Sequence, residues 1–295
     1  MIDFLTVTTM FNKKDHLFFI ASIVALVFGF SAMAFDPVDN GFGTLTLWVA
    51  PPLLLLGFIL PLPGLIGVEN LESQLRLKEL RLDTHKHIPG FLAFGVAFTA
   101  YLLTLEPTAS LWDCSEFIAS AYKLQVPHSP GTPLSLLVGR LFSVLSFGDP
   151  TRVAWSLNVM SAFFSALTIL IVFHIIYFFS EKVNSRKLTK IHLALASLCG
   201  SLCLAFSDTF WFSAVEAETY GIACFFLLLI VWLILKGNEQ SEPLRSRYLV
   251  LIFYVAGLSY CIHPMCLLSL PVLPFVWYFN SRKLTWLAVI VTSFA

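Results

Sequence analysis

Long apolar runs separated by short polar segments make up most of this chain. A helix needs about 17–25 apolar residues to cross the hydrocarbon core of a bilayer, and six of the runs reach that length. The pattern therefore predicts six membrane-spanning helices. They cover residues 17–35, 45–67, 88–105, 153–179, 191–207 and 219–236.

The apolar stretch at 248–280 is too long for one span, and the dipeptide His263-Pro264 interrupts it. We predict two short spans that meet at this dipeptide. A last apolar run begins at Leu284 and continues to Ala295, so we expect the chain to be the N-terminal part of a longer protein. The predicted fold class is therefore all-α, a polytopic transmembrane protein with about eight or nine spans in this chain.

The positions of Lys and Arg predict the direction of these helices, because cytoplasmic loops near span ends are enriched in both. If the N-terminus is inside, 15 of the 18 basic residues fall on the cytoplasmic side. The other three, Lys123, Arg140 and Arg152, lie in one outside region. This alternation supports the predicted spans, including the division of 248–280, since a single span there would place the next basic pair outside.

The first apolar run also resembles a secretory signal peptide, because Lys13 and Lys14 precede it and the small residues Ala32 and Ala34 lie at its end. We favour a spanning helix, since the run is long and a second span follows at once. Cleavage after Ala34 would leave the downstream topology unchanged, because that residue lies outside in either case.

The composition agrees with a membrane protein and narrows its partners. Hydrophobic residues are 58% of the 295 and charged residues 12%, about half the charged fraction of a typical soluble domain. Basic and acidic residues number 18 each, so the chain lacks the excess of positive charge that is typical of nucleic-acid-binding proteins. Nine of the 18 acidic residues lie outside in the predicted topology, where there are three basic residues, so the outer face is acidic although the net charge of the chain is zero.

Two transmembrane blocks and one linker organise the chain. Residues 1–67 are predicted to form a two-span hairpin, and residues 68–87 a charged cytosolic linker with the leucine spacing of an amphipathic helix. The second block begins at residue 88 and extends to residue 295.

The long outside loop between 105 and 153 contains the most informative polar residues. From Trp112 to Leu124 the apolar residues have helical spacing, which predicts an interfacial helix with Ser110 as its N-cap. Asp113 and Glu116 are three residues apart and would share a face. A carboxylate pair at an interface suits acid–base catalysis or a divalent metal, although acids also favour helix N-termini for structural reasons.

A proline-rich turn at 127–133 follows and predicts a stiff backbone that fixes the position of His128. The next apolar segment, 134–147, is short and contains Arg140, which predicts a second interfacial helix. Arg140 would then lie at headgroup depth, where it either binds a lipid phosphate or extends its charged end towards water without any ligand.

Two further outside turns add Glu216 and Glu218, at the start of a span, and His263. The predicted topology places seven polar residues of the outside loops on one side of the membrane: Asp113, Glu116, His128, Arg140, Glu216, Glu218 and His263. This convergence is stronger evidence for a site than any one of them.

Several strings in the second block resemble a polytopic family that was first catalogued as a domain of unknown function. That family is now grouped with the GT-C glycosyltransferases and the protein O-mannosyltransferases. The strings are those at 106–124, 127–134, 158–168, 206–218 and 257–263. Residues 1–67 resemble, more weakly, small two-span proteins of unknown function.

The resemblance implies a sugar donor carried on a polyprenyl phosphate, with mannose as one candidate sugar, and an acceptor hydroxyl on a protein or glycan at the non-cytoplasmic face. Asp113 matches the first-loop acid of the GT-C fold and is expected to act as general base, and Glu116 matches the second acid of the motif. Candidate cations for the leaving phosphate are His128, Arg140 and His263. Glu216 and Glu218 would line the sugar pocket or bind a metal; metal dependence stays open, because some GT-C enzymes use a divalent ion and others use none.

Two other hypotheses stay open at this stage. A transporter or lipid flippase needs ionisable groups near the bilayer midplane, broken helices or paired repeats. A non-catalytic membrane subunit predicts that Asp113 is dispensable. For the enzyme we expect an integral protein of a bacterial inner membrane, with its N-terminus inside and its active site outside.

Overall fold

The computed structural model describes residues 10–37, 43–69, 84–184 and 188–279, and within these ranges it is helical with no β-strand. In chain order the α-helices are α1 (Lys13–Ala34), α2 (Ala50–Ile59), α3 (Pro61–Ile66), α4 (Thr84–Leu103), α5 (Cys114–Lys123), α6 (Pro133–Phe142), α7 (Val153–Lys182), α8 (Lys190–Ala205), α9 (Asp208–Ala214), α10 (Thr219–Asn238), α11 (Leu244–Tyr260) and α12 (Val272–Phe279). Short π or 3₁₀ turns at Leu45–Val49, Ser143–Ser146, Pro150–Arg152 and Pro264–Ser269 complete the order.

The chain divides into two compact units. One comprises Met1–Leu80, Leu233–Leu258 and Leu268–Ala295, and the other comprises Arg81–Trp232 and Ser259–Leu267.

In the first unit, α1 and α2 pack closely because glycines face the partner helix. A Cβ on Gly29 would lie 2.7 Å from Leu54, and one on Gly57 would lie 2.6 Å from Leu26. The Ser22 hydroxyl donates to the Gly57 carbonyl at 2.7 Å, as is common where small residues let membrane helices approach. The predicted two-span hairpin is therefore a closely packed helix pair.

A buried ion pair joins this hairpin to α11 within the same unit. Asp15 lies in the first turn of α1, where it forms a capping box with Asn12, and its side chain is fully buried. Its carboxylate accepts from Arg247 Nη2 at 3.0 Å and from the Val68 N–H at 2.9 Å. The carboxylate is thus paired and hydrogen-bonded, as a buried charge must be.

In the second unit, α4, α7 and α8 pack around a core of small residues that includes Ala97, Ala162 and Ala166. The buried Tyr101 hydroxyl donates to the Ala205 carbonyl at 2.9 Å. The amphipathic helices α5 and α6 lie against the first turns of α7, where Ile118, Leu136, Leu157 and Ala217 form a second core.

The six predicted spans correspond to helices of the structure. Five are long and apolar enough to cross a bilayer: Lys13–Ala34, Leu45–Ile66, Lys86–Leu103, Pro150–Lys182 and Thr219–Asn238. The sixth corresponds to Lys190–Ala205, which meets Asp208–Ala214 at an angle of 70° and counts as a span if the bent pair is taken together. These helices make the chain an integral membrane protein.

The count of eight or nine spans is not confirmed. The stretch at 248–280 does break near His263, since α11 ends at Tyr260 and a 3₁₀ turn begins at Pro264. Both flanking helices are shorter than the roughly 20 residues that a bilayer requires. The run at 284–295 and most of the linker at 68–87 lie outside the described residues, and the predicted domain boundaries stay predictions.

Candidate functional site

The loop that leads into α5 is held by a buried side chain of α7. Asn158 is fully buried, and its amide donates to the Glu106 carbonyl at 2.6 Å and to the Thr108 carbonyl at 3.0 Å. The Glu106 N–H donates to the Val215 carbonyl at 3.1 Å. These bonds satisfy backbone groups of an irregular segment and fix its position next to the turn before α10.

The prediction of Ser110 as N-cap was wrong. Helix α5 begins at Cys114, after a turn in which Trp112 has a φ of 63°. Asp113 occupies the N-cap position, but its side chain accepts no capping hydrogen bond. The carboxylate therefore stays available for other contacts, and it is exposed.

Asp113, Glu116 and His128 come together as an acid–histidine cluster. The Glu116 carboxylate accepts from the His128 N–H at 2.6 Å and from the ring Nδ1 at 2.8 Å. The other ring nitrogen, Nε2, lies 3.9 Å from Asp113 Oδ2. The proline-rich turn thus returns over α5, and Glu116 fixes the ring so that Nε2 faces Asp113.

The charges of His128 and Glu116 follow from this geometry. The hydrogen bond to Glu116 raises the pKa of His128, and the charges of Glu116, Asp113 and Glu218 act in the same direction. The bonds from His128 lower the pKa of Glu116. The ring is thereby favoured as an imidazolium, while Glu116 is favoured as a carboxylate.

The cluster has the donor atoms of a metal site. Each of its three residues offers one ligand atom, and these atoms lie within 4.8 Å of one another. Carboxylate oxygens with an imidazole nitrogen suit Zn²⁺ or Mn²⁺. Both oxygens of Glu116 also accept from His128, so a metal held by all three residues would share Glu116 with that pair.

Two acids of the turn before α10 lie behind the cluster. Glu216 and Glu218 are both buried, and the Cys114 thiol donates to Glu218 Oε1 at 3.3 Å. Burial raises the pKa of Glu218, and the charge of Asp113 raises it further. Burial and these two acids also raise the pKa of the Cys114 thiol. Sequence reasoning missed Cys114 as a site residue, and its place beside Asp113 in the chain was the one available signal.

Arg140 and His263 make contacts with other residues. Arg140 is 3% exposed, and its Nη1 donates to the Tyr122 carbonyl at 2.9 Å and the Ser143 hydroxyl at 3.3 Å. It thereby connects α5 to α6, and its contact with a lipid phosphate stays a prediction. The His263 Nδ1 accepts from the Met265 N–H at 3.1 Å, and its ring packs beside Tyr220.

Comparison with known proteins relates this chain to a family of protein O-mannosyl-transferases. A family model described as the protein O-mannosyl-transferase TMEM260 N-terminal domain matches residues 113–286, a range that begins at Asp113. The protein O-mannosyl-transferase tmem260 of Dictyostelium discoideum is 22% identical over 197 residues, covering 63% of this chain and 23% of the relative. The corresponding Mus musculus protein is 25% identical over 197 residues, covering 65% of this chain and 26% of the relative. The chain thus spans about a quarter of these relatives' length, and no solved structure matches it.

Proposed function

We propose a function from one premise: this chain belongs to the family of the protein O-mannosyl-transferase TMEM260 N-terminal domain. Its relatives' names support a membrane glycosyltransferase. We infer that the protein transfers a sugar, mannose by analogy with those names, from a polyprenyl-phosphate donor of the GT-C type. The acceptor would be a hydroxyl, of protein Ser or Thr, at the non-cytoplasmic face.

The observation that carries this proposal is the acid–histidine cluster. An exposed carboxylate, Asp113, lies 3.9 Å from an imidazole nitrogen of the ring that Glu116 fixes in place. Glycosyl transfer from a lipid phosphate needs both of these groups, a base for the acceptor and a positive charge for the departing phosphate.

In the proposed reaction the acceptor oxygen attacks the anomeric carbon while Asp113 takes the hydroxyl proton. The bond between that carbon and the phosphate oxygen breaks, and its electron pair stays with the phosphate. The His128 imidazolium donates from Nε2 to the departing oxygen and offsets its charge. Glu116 acts through His128, because it holds the ring and favours its charged form.

The two acids of the turn before α10 have a separate role in this proposal. Burial raises the pKa of Glu218, which shifts its balance towards the protonated carboxyl, a group that both donates and accepts hydrogen bonds. A neutral carboxyl is suited to the hydroxyls of a sugar. We assign Glu218, with Glu216, to the sugar side of the site, while a divalent metal held by the cluster remains an alternative source of positive charge.

Replacing the proposed base tests the assignment. In the complete protein, Asp113→Asn should reduce sugar transfer by about 10²–10⁴-fold, because the amide accepts no proton, while expression and membrane insertion stay unchanged. Asp149→Asn is the matched control, since Asp149 is exposed in the same outer region and its side chain accepts from Thr151. Normal turnover by Asp113→Asn would refute the role of Asp113 as general base and would favour the hypothesis of a non-catalytic subunit.

A further inference from the structure

A pocket of about 280 Å³ lies between the C-terminal end of α7 and the first turns of α8. The acid–histidine cluster lies near the other end of α7, where α5 and α6 pack. Because α7 has 30 residues, its two ends are about 45 Å apart, and the proposed reaction gives this pocket no role. The lining residues that the argument uses are Ser180, Val183, Asn184, His192, Leu193 and Ala196.

The lining of the pocket is amphiphilic. Leu193 is buried and packs with Phe173 and Tyr177 of α7, which gives the pocket a firm apolar side. His192 is exposed and Asn184 is half-buried, so polar groups lie towards the surface. A small inorganic anion would gain little from the apolar side, whereas a lipid can place its head group on the polar side and its first chain carbons on the apolar side.

Hydrogen bonds hold the polar residues in place. Asn184 donates from its amide to the Leu188 carbonyl at 3.0 Å and accepts from the Leu188 N–H at 2.9 Å. The Thr189 hydroxyl lies 2.6 Å from His192 Nδ1. If the hydroxyl donates, Nδ1 is the acceptor and the neutral ring carries its proton on Nε2. Among the described residues none bonds to Nε2, which can therefore donate to a ligand.

The charge around the pocket is positive. Between 180 and 192 the sequence has four basic residues and one acidic residue. Lys182 is the last residue of α7 and Lys190 the first of α8, and both are exposed; the other two basic residues lie outside the described residues. The predicted orientation places this end of α7 at the cytoplasmic leaflet, where anionic lipids attract such residues. Charge by itself would hold lipids loosely, and the pocket with its fixed histidine adds one defined position.

We propose that this pocket binds the phosphodiester head group of an anionic phospholipid. His192 Nε2 donates to a phosphate oxygen, and Lys182 and Lys190 offset the phosphate charge. The first carbons of the acyl chains pack against Leu193 and Ala196. This site is separate from the acid–histidine cluster and does not depend on the proposed function.

Lipid titration of the purified complete protein in detergent tests the choice of ligand. Dioleoyl phosphatidylglycerol should raise the thermal unfolding midpoint as its concentration rises, because it binds the folded state. Dioleoyl phosphatidylcholine, which has no net charge, should raise it much less, and inorganic phosphate at the same concentration should not change it. Equal stabilisation by phosphatidylcholine would overturn the proposal. Equal stabilisation by inorganic phosphate would also overturn it, since the ligand would then be a free anion.

A double variant tests the polar side of the pocket. Lys190→Gln combined with His192→Phe removes one positive charge and the Nε2 donor but keeps a ring, and it should weaken the apparent affinity for phosphatidylglycerol about tenfold. Lys13→Gln with His16→Phe is the matched control. Lys13 is likewise the first residue of a spanning helix, and His16 is an exposed histidine whose Nδ1 also bonds close to that helix start. An equal loss of affinity in the control would show unspecific surface attraction and overturn the proposal.

A second variant tests the apolar side and keeps the test decisive if the double variant does not fold. Ala196→Trp places an indole in the pocket from an exposed position on α8, so binding of phosphatidylglycerol should weaken about tenfold. Leu195→Trp is its control, because Leu195 is exposed on the same helix and does not line the pocket. Unchanged affinity in both Ala196→Trp and the double variant would refute the site.

Discussion

The Glu116 carboxylate binds His128 through both of its oxygens, one to the backbone N–H at 2.6 Å and the other to the ring Nδ1 at 2.8 Å. The two residues are twelve positions apart and lie on different elements, a helix and a proline-rich turn. The double contact fixes both the path of the turn and the orientation of the ring. Nε2 consequently faces Asp113, which is the relationship on which the proposed chemistry depends.

This relationship predicts the pH dependence of sugar transfer. Because Glu116 raises the pKa of His128, the imidazolium persists above the usual histidine range and is lost as the pH rises through the raised value. Glu116→Gln removes the negative charge, so the alkaline limb of the kcat profile should shift to lower pH. The measurement is kcat as a function of pH for both proteins.

The control for this shift is Glu181→Gln, because Glu181 is an exposed acid near the C-terminal end of α7, outside the acid–histidine cluster. Its profile should coincide with that of the unmodified protein. If Glu116→Gln leaves the alkaline limb in place while lowering kcat uniformly, Glu116 does not act through the charge of His128.

Asn158→Leu should loosen the loop before Asp113. The substitution keeps the branched shape of the side chain but removes both hydrogen bonds to the loop, leaving the Glu106 and Thr108 carbonyls without this donor. We expect a loss of about 1–3 kcal/mol in the free energy of unfolding, together with slower transfer. Thr168→Val on the same helix should cost less, since Thr168 bonds only within its own helix. Equal stability of the two variants in thermal unfolding would refute the role of Asn158.

Arg247→Met should destabilise the first unit strongly. It leaves the fully buried Asp15 carboxylate without its charged partner, and a broken buried pair costs about 3–5 kcal/mol. Arg152→Met removes the exposed partner of Asp149 and should cost about 0–1 kcal/mol. Thermal unfolding in detergent compares the two. Similar midpoints for both variants would show that the Asp15–Arg247 pair contributes little.

The proposed orientation predicts which loops react with an impermeant thiol reagent. Val126 and Val183 are strongly exposed, and they lie in the outer loop of the cluster and after the far end of α7. Val126→Cys should be labelled in intact cells, and Val183→Cys only after permeabilisation, because the basic residues place the second position in the cytosol. The reverse pattern would place the cluster at the cytoplasmic face.

The helices were predictable because their signal is local. An apolar run of about 20 residues in lipid must form a helix to satisfy its own backbone, so the spanning helices follow from the local pattern of apolar residues alone. The spacing of Asp113 and Glu116 likewise placed both acids near the start of one short helix. The first residue of this helix was not predicted correctly. Trp112 has a left-handed backbone conformation in the preceding turn, and the helix therefore begins only at Cys114.

The sequence by itself determined that this is a membrane protein, where its spanning helices lie, and which acids and histidines lie in its loops. Only the tertiary structure decided which of them meet. Glu116 binds His128, Cys114 reaches Glu218 across 104 positions, and Arg140 turns inward to a backbone carbonyl. The physical reason is that helix formation depends on neighbouring residues in the chain, whereas these contacts depend on how separate helices pack. Packing of α7 against α8 also formed the pocket beside His192, a feature that no local pattern in the sequence indicates.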